Sequence, residues 1–109
     1  MTESEKLNQV EESAFPFLQS AVLLDQARMA LATLDKALGV NAEMWLRLSD
    51  EAAARGLPVE TVDFVNRTTT FVAKVAAALR ADVDDQLIQK LIDLNLNMSE
   101  RILESGKAA

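Results

Sequence analysis

Apolar residues recur along this chain at spacings of three and four, the period of a helix that buries one face. From Pro16 onward, Leu24, Ala27, Leu31, Leu34 and Leu38 form one such row with Asp25, Arg28, Asp35 and Lys36 between them. Pro16 suits a first turn, where its missing N–H is no loss, so a helix is predicted to start at Ser13 or Phe15 and to stop at Gly39. A short second helix follows over about Asn41 to Arg55, with Asn41 as its N-cap and Gly56 as the left-handed residue that ends it. Leu57 and Pro58 open a third, to about Arg80, with Val62, Val65, Thr69, Val72, Ala76 and Leu79 on one stripe. Within it Thr68, Thr69, Thr70, Phe71 and Val72 alone favour a strand. The helical period extends over six turns and no partner strand is present, so helix is predicted.

The fourth helix starts after a cap at Asp82 or Asp84 and closes at Gly106. It carries two adjacent apolar rows: Leu87, Leu91, Leu94, Met98 and Ile102, and beside them Ile88, Ile92, Leu96 and Leu103. So wide an apolar arc fits a helix central in its own fold or one that faces another chain. Short links throughout predict an all-α fold, a small antiparallel helical bundle of three long helices plus one short. Trp45 is its packing centre, with an interface anchor as the other role of a lone tryptophan. Residues 1–14 form an acidic, flexible N-terminal segment, and residues 15–106 a single bundle domain.

Composition narrows the function. Of 109 residues half are hydrophobic, whereas glycine occurs 3 times and proline twice. That is too little turn chemistry for an all-β domain, which turns every ~8–12 residues. With 17 acidic against 11 basic residues the net charge is −6, and the field repels phosphate backbones. A DNA partner is not expected. Histidine and cysteine are both absent, which removes the commonest general base, thiolate chemistry, disulfides and the His/Cys metal sites. No apolar run reaches the ~18 residues that span a bilayer, so a cytoplasmic protein that needs no membrane is expected.

What remains for chemistry is sparse. Asp82, Asp84 and Asp85 lack the glycine and the bidentate Glu of a calcium loop and read as capping residues. The three adjacent threonines are expected to bond carbonyls one turn back. Asn95, an amide within an apolar helix, sets register or bonds a backbone carbonyl, or else contributes to a partner site. No catalytic residue, cofactor or metal site is predicted, and the chain is not expected to be an enzyme.

Three blocks, in order over residues 17 to 105, give the chain a family resemblance. The first is the helix AVLLDQARMALATLDKAL. The second has an asparagine four residues before a tryptophan, then an aspartate and a Leu-Pro that opens the next helix: Asn41, Trp45, Asp50, Leu57 and Pro58. The third is LIDLNLNMSERIL from Leu91. Together they resemble the FlaF family of flagellar regulators of α-proteobacteria. Ala42 stands where an arginine is usual in that family, and Arg101-Ile102 where Gly-Leu is usual.

The resemblance implies a factor in flagellin production and export that binds the flagellin subunit in the cytoplasm before secretion, through one of its terminal amphipathic helices. A second flagellar regulator is a further implied partner. On this reading the binding surface is Ile88, Ile92 and Leu96 of the last helix, with Trp45 and Asn95, while Asn41, Gly56, Leu57 and Pro58 are structural. The competing expectation is a homodimer that buries the second row of the last helix against its own copy.

Overall fold

The computed structural model describes residues 3–107, and the side chains of residues 9–105. It is all-α. Four helices follow one another: α1 (Glu3–Met29), α2 (Leu34–Ala54), α3 (Val59–Ala81) and α4 (Asp85–Lys107), with one 3₁₀ turn, Leu31–Thr33, between the first two. Among the described residues there is no strand, and the threonine run lies inside α3.

The largest departure from the sequence pattern lies between the first two helices. The chain breaks at Ala30, not at Gly39, and Gly39 and Asn41 are interior residues of α2. Asn41 therefore does not cap a helix. Nothing in Arg28-Met29-Ala30-Leu31 announces a stop, since all four are good or tolerable helix formers. The turn is held by Thr33, whose backbone N–H and hydroxyl both donate to the Ala30 carbonyl, at 2.9 and 2.8 Å. It lets the row Leu34, Ala37, Leu38, Asn41 and Trp45 face inward on a new axis. Leu31, expected in the core row, is left exposed in the turn. In place of three long helices and a short one, the four run to 27, 21, 23 and 23 residues.

Other boundaries shift for identifiable reasons. Helix α1 begins at Glu3 instead of Ser13 or Phe15, so Pro16 sits inside it. The carbonyl that Pro16 leaves without a donor is that of Glu12, on an exposed stretch where solvent can take it. Helix α4 continues through Gly106 to Lys107.

Two predicted ends are found as expected. Gly56, at φ 64°, terminates α2, with the Leu57 N–H on the Ala52 carbonyl and the Gly56 N–H on the Ala53 carbonyl, each 3.3 Å. That crossed pair is the Schellman arrangement. Asp84 caps α4 by accepting the Gln86 N–H at 2.9 Å.

Helix α1 packs mainly on α4 and α2 mainly on α3, whereas α3 and α4 scarcely touch. The contacts run in a consistent register. Asp35, Trp45 and Ser49 of α2 meet Arg80, Thr69 and Asn66 of α3, and Arg28 and Ser20 of α1 meet the levels of Asp85 and Asn95 of α4, the second through Asn41. One core joins the two pairs, with Phe17, Leu24, Leu38, Trp45, Val72, Leu79, Ile88 and Leu91 at its centre.

Candidate functional site: a buried amide network and an open groove

Trp45 is fully buried, with its ring edge-on to Phe17 at 5.3 Å between centroids and 69° between planes. Its indole N–H donates to Asn95 Oδ1 at 3.0 Å. Asn95 Nδ2 in turn donates to Asn41 Oδ1 at 2.8 Å, and the Ser20 hydroxyl donates to that same oxygen at 2.9 Å. One chain of hydrogen bonds thus ties α1, α2 and α4 together in the core. It reaches α3 through the Thr69 hydroxyl, 3.1 Å from the Trp45 carbonyl and 2.7 Å from that of Val65.

The direction of this network follows from its chemistry. An indole N–H can only donate, so Asn95 must offer it an oxygen, and its amide nitrogen must then point at Asn41. Asn41 is therefore held with its own oxygen toward both donors. Its amide nitrogen has no partner among the described residues and is sealed from solvent. An orphaned buried donor costs about 1–3 kcal/mol, which the rest of the arrangement offsets. No charged group takes part, and the Ser20 hydroxyl faces an amide oxygen, not a base. The network organises helices and has no means of activating a nucleophile.

The residues assigned to partner contact by sequence are thus divided. Trp45, Asn95, Ile88 and Ile92 lie inside the bundle, and of the five only Leu96 is on the surface, 38% exposed. Both rows of α4 have neighbours within the chain, because that helix packs on α1 on one side and borders α3 on another. Of the second row, the face expected to pair in a homodimer, Ile88 and Ile92 are covered within the chain, while Leu96 is exposed and Leu103 half-buried. Asn95 bonds side chains instead of a backbone carbonyl. Gly56 stands at the end of α2 and Pro58 at the N-cap position of α3, with Leu57 between them, whereas Asn41 lies inside α2. Sequence reasoning missed Ser20, although it falls on the same helical face as Phe17, Leu24 and Ala27.

Because α3 and α4 diverge, an open groove of about 370 Å³ lies between the start of α3 and the end of α4. Its floor is Phe64, Met98 and Ile102, all half-buried. Arg101 lies over the Phe64 ring, 5.8 Å from its centroid, and Glu60 and Thr61 form the opposite rim. The floor is thus apolar and the rim polar, with charges of both signs.

Elsewhere among the described residues, two ion pairs tie one helix to another, and three more lie within single helices. Arg28 Nε lies 2.8 Å from Asp85 Oδ1, off the line of a hydrogen bond, while its Nη2 donates to Asp85 and Gln89 and its Nη1 to Asp25. Arg80 Nε donates to Asp35 Oδ1 at 2.8 Å between α3 and α2. Among the described residues no cluster of acidic side chains is placed to hold a metal ion, and no helix is long and apolar enough to cross a membrane. No family model, no curated protein and no solved structure matches the chain.

Proposed function

We propose that this chain is a flagellar biogenesis factor, an antiparallel bundle that binds flagellin in the cytoplasm and acts as its chaperone or as a regulator of its synthesis and secretion. The observation that carries the reading is the meeting of two distant sequence blocks. Asn41 and Trp45 belong to the Asn…Trp…Leu-Pro block that resembles the FlaF family, and Asn95 is the asparagine that closes LIDLN in the other. Fifty residues apart, Trp45 and Asn95 share a hydrogen bond, and Asn95 goes on to Asn41. A common structural reason for both blocks supports the view that their joint occurrence reflects kinship.

The role is binding and not catalysis. The groove between α3 and α4 takes a terminal amphipathic helix of flagellin, whose apolar stripe lies on Phe64, Met98 and Ile102 and whose polar edge meets Arg101 and Glu60. This places the contact on half-buried residues open to solvent instead of on Ile88 and Ile92. A charge at Ile92, 6% exposed, tests folding, not binding.

The experiment is retention of flagellin by the immobilised chain from a lysate of flagellated α-proteobacteria, identified by mass spectrometry. Retention above that of an unrelated acidic helical protein is expected. Equal recovery on both, with the chain shown to be folded, contradicts the proposal.

A further inference from the structure

Helix α1 has apolar residues on two faces. One, with Phe17, Ala21, Leu24 and Ala27, fills the core. The other points outward: Phe15 is 59% exposed, Leu18 37%, Val22 54% and Met29 91%. Their spacings of three, four and seven put them in a single row on the side away from the bundle, the a/d pattern of a helix seam. The row spans roughly 21 Å of helix at 1.5 Å per residue. Exposed side chains scattered singly need no account, but four large ones on one line do, with only Asp25 interrupting them between Val22 and Met29.

We infer that this face is a homodimer interface, in which the α1 helices of two copies lie side by side in opposite directions about a two-fold axis at Val22. The residues themselves favour a second copy over a foreign helix, because the row is complementary to its own reverse. Seven positions before Val22 stands Phe15 and seven after it stands Met29, so each ring meets a thioether, a favourable sulfur–aromatic contact. Val22 meets Val22. Four positions out, Leu18 meets the methylene stem of Gln26, and three out, Gln19 meets Asp25 as an amide donor to a carboxylate.

Charge follows the same symmetry. For a chain of net charge −6, self-association must avoid carboxylate against carboxylate. The reversed register does so at Asp25, which faces Gln19, while Glu11 and Glu12 lie beyond the end of the partner's α1, which stops at Met29. Arg28 is held by its own chain, with Nη1 on Asp25 and its other nitrogens toward Asp85 and Gln89. A parallel pairing would stack Asp25 on Asp25 and lose the Phe15–Met29 contact. The interface is isologous, uses a face separate from the α3/α4 groove, and stands whether or not flagellin binds there.

Light scattering of the purified chain is expected to give twice the 11.9 kDa of one copy. Val22→Glu, which sets two carboxylates together on the axis, is expected to return the mass to that of one copy with helical circular dichroism unchanged. Since the chain has no cysteine, register can be read by cross-linking. Val22→Cys is expected to form a disulfide with its own copy on oxidation. Phe15→Cys, whose copies would stand far apart, is expected to cross-link with a Met29→Cys chain and not with itself. A monomer at every attainable concentration overturns the inference, as does self-cross-linking of Phe15→Cys as efficient as that of Val22→Cys.

Discussion

The indole N–H of Trp45 is bonded to the side-chain oxygen of Asn95, and this one contact joins the second helix to the fourth in the middle of the core. Both groups are fully buried, so neither can exchange its partner for water. Replacement of Asn95 by leucine orphans the indole N–H and leaves the Asn41 oxygen with Ser20 alone. Unpaired buried groups cost about 1–3 kcal/mol each, and Asn95→Leu is expected to lower stability by about 2–4 kcal/mol in urea unfolding. Trp45→Phe removes the donor and part of the ring, and the pair is expected to be coupled by about 0.5–3 kcal/mol in a double-mutant cycle. Additivity of the two variants would contradict the bond's place in the network.

Asn41 gives a contrasting expectation. Its oxygen takes two donors while its nitrogen has none. Asn41→Ala frees Asn95 and Ser20 of their acceptor, but it also removes the orphaned donor. The Ser20 hydroxyl can turn to a backbone carbonyl one helical turn back, so only the Asn95 amide replaces Asn41 as an orphan, and the cost is expected to fall below that of Asn95→Ala by about 1 kcal/mol or more.

Gly39 and Gly56 differ in sign. Gly39 lies inside α2, and a Cβ built there meets nothing within 4 Å. Gly39→Ala is expected to stabilise by about 0.5–1 kcal/mol through helix propensity and unfolded-chain entropy. In thermal unfolding that is a rise of roughly 2–6 °C. Gly56 stands at φ 64°, where a side chain is strained, so Gly56→Ala is expected to destabilise by about 1 kcal/mol despite the open space around it.

Arg28 makes the most sheltered of the ion pairs, its side chain 21% exposed against 73% for Asp85. Because the carboxylate remains in solvent, Arg28→Met is expected to cost at most about 1 kcal/mol, and less in high salt. Urea unfolding at low and high sodium chloride checks both parts. A cost that is undiminished by salt would mean that the stem of Arg28, and not its charge, is the stabilising part.

Much of this fold was legible in the residues and some of it was not, for physical reasons. Trp45 as packing centre, Gly56 as terminator and Asp84 as cap follow from local chemistry, and each is found. The threonine run is helical because its hydroxyls bond carbonyls four residues back, at 2.7–3.1 Å, and because Val65, Val72 and Val75 are needed on the inner face. Tertiary burial there outweighs the strand preference of β-branched residues.

The break after Met29 was illegible because good helix formers carry no stop signal. It exists so that two rows can face one core on two axes. Gly39 misled for the complementary reason: a mid-helix glycine costs only about 1 kcal/mol, less than Leu34, Leu38 and Trp45 return by lying on one inner face. The site shows the same limit. Asn95 stood out as an amide in an apolar row, but its partners sit 50 and 54 residues away, beyond any periodic pattern. The outward row of α1 was hidden because apolar residues lie on both faces of that helix and blur its period.

The most direct test of the functional account is calorimetric titration of purified monomeric flagellin into the purified chain, beside a Thr61→Arg variant. Thr61 is on the exposed rim of the α3/α4 groove, so the substitution blocks the groove without touching the core. The account predicts saturable binding to the native chain, weakened at least about tenfold, or about 1.4 kcal/mol, by Thr61→Arg with an unchanged urea midpoint. Absence of binding to the native chain, or equal binding to both, would contradict it.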